Sequence, residues 1–167
     1  MSRRHMVALA SLLVLAALSF GAGGGAAAGL PRTLSFLEVN TSFSGIGGFD
    51  FTSSAAPVVG QGFTFTSTLY KWAGTRKGAP LGHNQVVCII TSVDPSTGSV
   101  ESQCSATNFM PGGTIQFAGA TNFDSPVTNV AVVGGTGIYA GAQGTARIKN
   151  IGGEDSPSSA WVIHLTN

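Results

Sequence analysis

From residue 29 onward the chain never sustains an apolar repeat at helical spacing. Short runs rich in Val, Ile, Phe and Thr recur instead, separated by clusters of Gly, Pro, Asn and Ser. That alternation reads as short strands joined by turns. It predicts eight strands: Thr33 to Asn40, Gly62 to Trp72, Gln85 to Val93, Ser99 to Phe109, Thr114 to Asn122, Val127 to Val133, Gly144 to Ile151 and Ser159 to Thr166. Ser42 to Gly60 and Ala73 to Asn84 read as loops. Asp94-Pro95-Ser96-Thr97-Gly98, Gly112-Gly113 and Asp124-Ser125-Pro126 read as turns. In the second strand Phe63, Phe65, Ser67 and Leu69 share one face, and Thr64, Thr66, Thr68 and Tyr70 share the other. In the last, Trp161, Ile163 and Leu165 oppose Ala160, Val162 and His164. The first sets Leu34, Phe36, Glu38 and Asn40 against Ser35, Leu37 and Val39, and either set suits burial.

Eight consecutive strands close into a barrel or fold as a two-sheet sandwich. The expected fold is all-β: a single eight-stranded antiparallel β-barrel with a mainly apolar interior. A barrel of that size has room for one small ligand.

The chain ahead of the strands reads differently. Arg3, Arg4 and His5 precede an apolar run from Met6 to Phe20, and Gly21 to Ala28 is nearly all Gly and Ala. This order is that of a secretory signal peptide, with Ala26-Ala27-Ala28 as the small-residue cleavage site. A spanning helix needs about 20 apolar residues, so no stable membrane anchor is expected. Residues 1–28 are therefore assigned to a signal peptide and 29–167 to the barrel, in an exported, extracellular protein.

Charge narrows the function classes. With Arg3 and Arg4 set aside, six of the eight Lys/Arg remain against seven Asp/Glu. Nucleic-acid binding needs clustered cations to displace counterions, and only Arg76-Lys77 and Arg147/Lys149 come close. No nucleic-acid partner is expected.

Two cysteines in an exported chain favour a disulfide. If the Asp94–Gly98 turn centres on Ser96, Cys88 and Cys104 lie eight residues to either side and face each other. Directly opposed residues sit about 4.5–5.5 Å apart at Cα, within reach of a disulfide. Free thiols or a metal pair are the alternatives. No Cys-x-x-Cys spacing exists, and only His83 and His164 remain, so no metal site is expected.

Gly135-Thr136-Gly137 invites comparison with a phosphate-binding turn. That fingerprint requires a long helix after the glycines, and none is predicted. These glycines read instead as positive-φ and close-contact positions in a tight corner.

Several segments in chain order resemble the allene oxide cyclase and dirigent barrel superfamily. Phe36-Leu37-Glu38-Val39-Asn40 is similar to the cyclases' first strand with its Glu-x-Asn, and Phe65-Thr66-Ser67-Thr68-Leu69-Tyr70 to their second. Gln85-Val86-Val87-Cys88-Ile89-Ile90 resembles the third, with its cavity-facing Cys. Val132 to Gly144 resembles the Gly-Gly-x-Gly…Gly-Ala-x-Gly corner of both branches. The resemblance implies that Glu38, Asn40, Ser67 and Cys88 point into the barrel. Glu38 and Asn40 become the catalytic candidates, and Phe36, Phe63, Phe65, Ser67 and Cys88 the ligand-binding ones. The cyclases carry a second Asn where this chain has Ser67. The resemblance further implies a homotrimer that uses no cofactor.

A carboxylate among apolar side chains has its pKa raised by desolvation unless hydrogen bonds offset it. Such a group stabilises a developing cation, accepts a proton or holds a hydroxyl. The expected function is an exported, cofactor-free barrel that binds a small hydrophobic molecule and steers its cyclisation, isomerisation or coupling. The alternatives are a non-catalytic exported binder and a fully packed structural barrel. Asn40-Thr41-Ser42 is also an N-glycosylation pattern. His83 and His164 are expected to face solvent, and Tyr70, Trp72 and Tyr139 to pack or sit at the rim.

Overall fold

A computed structural model describes residues 33–50, 52–74, 76–122, 124–152 and 158–166. The expected signal peptide lies outside these residues. Eight antiparallel strands follow one another around a closed barrel: β1 (Thr33–Ile46), β2 (Gly62–Trp72), β3 (Lys77–Val93), β4 (Val100–Met110), β5 (Gly113–Asn122), β6 (Val127–Gly135), β7 (Gly144–Asn150) and β8 (Ser158–Leu165). Thr33 to Val39 of β1 pair with Val39's partner Ser158 through His164 of β8, which closes the ring. The barrel, not the sandwich, is the architecture. Closure removes the unpaired edges that an open sheet would leave.

Two strands run beyond their predicted ends. Ser42 to Ile46, expected as loop, continues β1 and pairs with β2 alone. Low strand propensity at Ser42, Ser44 and Gly45 conceals this extension. Asn40 pairs with Ser67 and Ser42 with Thr66, so Thr41 is an extra residue forming a β-bulge. Its hydroxyl donates to the Thr66 carbonyl at 3.0 Å. The bulge inverts the alternation: Glu38 and Asn40 face inward before it, and Phe43, opposite Phe65, faces inward after it.

The second extension is at β3. Lys77 to Asn84, also expected as loop, belongs to this strand. Its β4 pairing starts only at His83, so the preceding residues have a partner on one side alone. Pro80, which has no N–H to give, is tolerated at such a one-sided position.

Where sequence and structure agree, local chemistry explains the element. The β3–β4 turn is held by Asp94, whose Oδ1 accepts from the Ser96 hydroxyl at 2.7 Å and the Ser96 N–H at 2.8 Å. Those bonds hold the Asp94 carboxyl down at about 2, and Gly98 completes the turn at φ +74°. The glycine-rich corner contains a 3-10 turn, Gly137–Tyr139. Gly137 has φ +62°, and a Cβ there would run into the Gly112 carbonyl. Close backbone approach and positive φ coincide, which only glycine accommodates.

One end of the interior is packed solid. Phe36, Leu69, Ile115, Ile163 and Ala146 are fully buried there, with Leu165 and Tyr139 beside them. A second cluster, Phe63, Val86, Cys88 and Cys104, lies toward the other end. Between the clusters the interior turns polar.

Candidate functional site

Closing the ring sets Glu38 of β1 beside β2, β3 and β8. It is 3% exposed. Asn84 Nδ2 donates to Oε1 at 2.6 Å, and the Trp161 indole N–H donates to Oε2 at 2.7 Å. Burial raises the carboxyl above its ordinary range, and the donors Trp161, Ser67 and Asn84 pull it part of the way back. The Ser67 hydroxyl donates to Asn40 Oδ1 at 2.9 Å. The aromatic surroundings are fixed as well: the Trp161 ring stacks on Phe36 at 5.4 Å and meets Phe117 edge-on at 5.2 Å.

Glu38 lines a cavity of about 110 Å³ with Phe65, Val86, Ala106, Phe117 and Trp161 among its walls. Both sulfurs' residues, Cys88 and Cys104, line it too. They are directly opposed in the β3–β4 register and form a disulfide. Among the described lining residues Glu38 alone is ionisable. Ligand-sized pockets typically hold about 300–1,000 Å³, so this space takes a ring or a short chain rather than a whole drug-sized molecule.

The cavity reaches a gap in the wall. β5 and β6 pair only from Ile115–Gly135 to Ala118–Ala131. Beyond that no ladder pair joins the two strands, though Gly119 still lies against Val130, while β5 pairs with β4 as far as Asn122 and β6 with β7 from Val127. Thr121 and Asn122 on one side of this splay, and Thr128 and Val130 on the other, are cavity walls. A molecule longer than the cavity can extend there.

The sequence profile of the dirigent-like protein family matches residues 45–165. The chain belongs to the dirigent-like family. No curated protein matches it. Solved structures that share its fold include three of differing chemistry. A pyocyanin demethylase superposes with TM-score 0.64 at 22% identity, over 80% of this chain and 99% of that one. An exo-specific intermolecular Diels-Alderase gives TM-score 0.60 at 20% identity, over 80% and 99% respectively. A pterocarpan synthase dirigent protein gives 0.58 at 16% identity, over 80% and 82%. The expected superfamily is thus the right one.

The family match starts beyond Asn40, so in this dirigent-like chain the placement of Glu38 and Asn40 rests on geometry. Glu38, Phe65 and Cys88 line the cavity, as Cys104 does. Phe36 lies in the packed end, and Phe63 belongs to the second cluster. Ser67 and Asn40 meet each other, not the cavity wall. Half-buried Asn40 faces inward, its Oδ1 accepting from the Ser67 hydroxyl. His83 stacks on Phe109 at 4.6 Å, His164 meets the Thr33 hydroxyl at 3.2 Å, and Lys77 sits over the Tyr70 ring at 3.9 Å. Tyr139 is buried. Among the described residues no three His, Cys, Asp or Glu side chains stand close enough to hold a metal ion. Nor is any helix among them long and apolar enough to cross a membrane.

Two residues that grip Glu38 escaped the sequence reading. Asn84 stood one residue outside the predicted third strand. Trp161 lay on a strand whose inner face the alternation left open. The signal for Trp161 was its parity with Ile163 and Leu165, which share its face and its burial.

Proposed function

We propose that this dirigent-like barrel binds a small hydrophobic molecule against Glu38 and steers its cyclisation, isomerisation or coupling. The carrying observation is one buried carboxylate, clamped by two N–H donors, on the wall of an otherwise mostly apolar cavity. A carboxylate so fixed needs no reorganisation to face a developing positive charge or to accept a proton. The surrounding rings select one conformer of a flexible substrate, an orientation effect. In this reading the reactive part sits in the cavity and the remainder leaves through the β5–β6 splay. Asn40 acts through Ser67, and no cofactor takes part.

The same reading places the protein outside the cell after loss of residues 1–28. The Cys88–Cys104 disulfide supports an oxidising destination. A homotrimer fits the half-exposed apolar pair Val87 and Ile89 on the outer face of β3. Light scattering on the mature protein tests that assembly, and a monomer mass would remove it.

The functional test begins with the exported protein itself. Mass spectrometry identifies the small molecule it retains, and turnover of that molecule is compared with Glu38→Gln. The substitution is expected to lower turnover about 100-fold or more, the usual contribution of a positioned acid or base. Unchanged turnover would take Glu38 out of the chemistry. A non-catalytic binder is the second reading, favoured by both Glu38 oxygens already accepting hydrogen bonds from the protein. Retention of the molecule with no conversion would select it.

A further inference from the structure

Beside Glu38, β3 and β4 bring two amides face to face. Asn84 and Asn108 are direct partners in the register, and both are 0% exposed. Asn84 gives Nδ2 to Glu38, which fixes its amide orientation and points Oδ1 elsewhere. That Oδ1 makes no hydrogen bond to the described protein, and neither does Asn108 Oδ1 or Nδ2. Buried polar atoms without partners are rare and costly, and ordered water is their usual remedy.

The unpaired atoms define their own complement. Two acceptors and one donor require a partner that donates twice and accepts once. Half-turn rotation of the Asn108 amide exchanges its two ends but leaves this count unchanged. A water molecule carries two protons and two lone pairs, and buried waters typically make about three hydrogen bonds. The cavity does not reach this point, since neither Asn lines it.

We propose that Asn84 and Asn108 hold a buried water molecule that donates to both Oδ1 atoms, accepts from Asn108 Nδ2, and so fixes Asn84 as a positioning residue for Glu38. The link to Glu38 rests on the function proposed above; the water site does not. A water donating to Asn84 Oδ1 polarises that amide and strengthens its N–H bond to the carboxylate. Ser67, Asn84 and Trp161 are the groups that act on Glu38. None of them is ionisable, and among the described residues Glu38 is the one buried carboxyl, so a buried carboxyl signal belongs to it.

A crystal structure of the mature protein, at a resolution that shows ordered water, tests the site. Density is expected about 2.7–3.2 Å from Asn84 Oδ1 and the Asn108 amide. Amides bonded to other protein atoms, with no such density, would overturn the proposal. Infrared titration of the Glu38 carboxyl tests the coupling. Asn108→Leu, similar in size but unable to hydrogen-bond, is expected to raise its midpoint by about half a pH unit. Asn108→Thr, which keeps a donor and an acceptor, is expected to restore most of the wild-type value. Unchanged titration in Asn108→Leu would also overturn the coupling; if that variant does not fold, the wild-type density and Asn108→Thr decide. Normal turnover by Glu38→Gln would sink the function while leaving the density in place, so the two failures are distinguishable.

Discussion

Trp161 of β8 donates its indole N–H to Oε2 of Glu38 on β1 at 2.7 Å. The bond crosses the seam that closes the barrel, and it joins the most apolar kind of donor to the cavity's ionisable group. Trp161→Phe keeps a ring against Phe36 and removes only the donor. At neutral pH the loss is expected to cost about 1.5–3 kcal/mol, the range for hydrogen bonds to charged groups. At a pH where Glu38 is protonated, the cost is expected to shrink. Urea unfolding at both pH values measures it, and equal costs would reduce the indole to packing.

The pH dependence of stability follows from Glu38's raised pKa. The native state holds this proton to higher pH than the unfolded chain, whose carboxyl titrates near 4.5. Stability from the group is full below that value and declines as pH rises through the native pKa. Glu38→Gln has no such proton to lose. The difference in unfolding free energy, wild type minus Glu38→Gln, is expected to fall as pH rises above about 4.5. A flat difference would mean that the carboxyl titrates normally.

Breaking the Cys88–Cys104 link removes a cross-link that spans a sequence separation of 16. The chain-entropy relation puts the loss near 3 kcal/mol. A Cys88→Ser/Cys104→Ser double variant is expected to show it in denaturant unfolding. Because both residues line the cavity, the same variant is also expected to change ligand affinity, which isothermal titration with the retained molecule reads. Unaltered affinity would confine the disulfide to stability.

The β5–β6 splay gives a prediction about motion. Amides of residues 119–122 and 127–130 that face across the gap have no ladder partner there. Their hydrogen exchange is expected to be faster than that of the β1–β8 seam, and to slow when the cavity is filled. Protection as strong as at the seam would mean the gap closes in solution and that ligands use another route.

Much of this fold was legible in the chain because it is local. Turn chemistry at Asp94 and Gly98 fixed the β3–β4 register, and with it the facing of Cys88 and Cys104. The Val132 to Gly144 corner announced itself by glycines that the backbone demands. What escaped is long-range. Trp161 meets Glu38 only because the last strand returns to the first, 123 residues away. Asn84 was lost behind Gly78, Pro80 and Gly82, residues that strands ordinarily avoid but that a segment paired on one side can hold. Phe43 was hidden by Thr41, since alternation carried through an extra residue assigns every later side chain to the wrong face.

That single inserted residue makes β1 two half-strands in antiphase. Before it the even positions look inward, and after it the odd ones do. Because Thr41 is the residue left out of the ladder, omitting it would keep Ser42 opposite Thr66 and Phe43 opposite Phe65, whereas drawing Thr41 into the ladder would turn Phe43 outward. The aromatic character of this rim is therefore governed by whether one residue stays outside the ladder, a choice between two registers made at a single point.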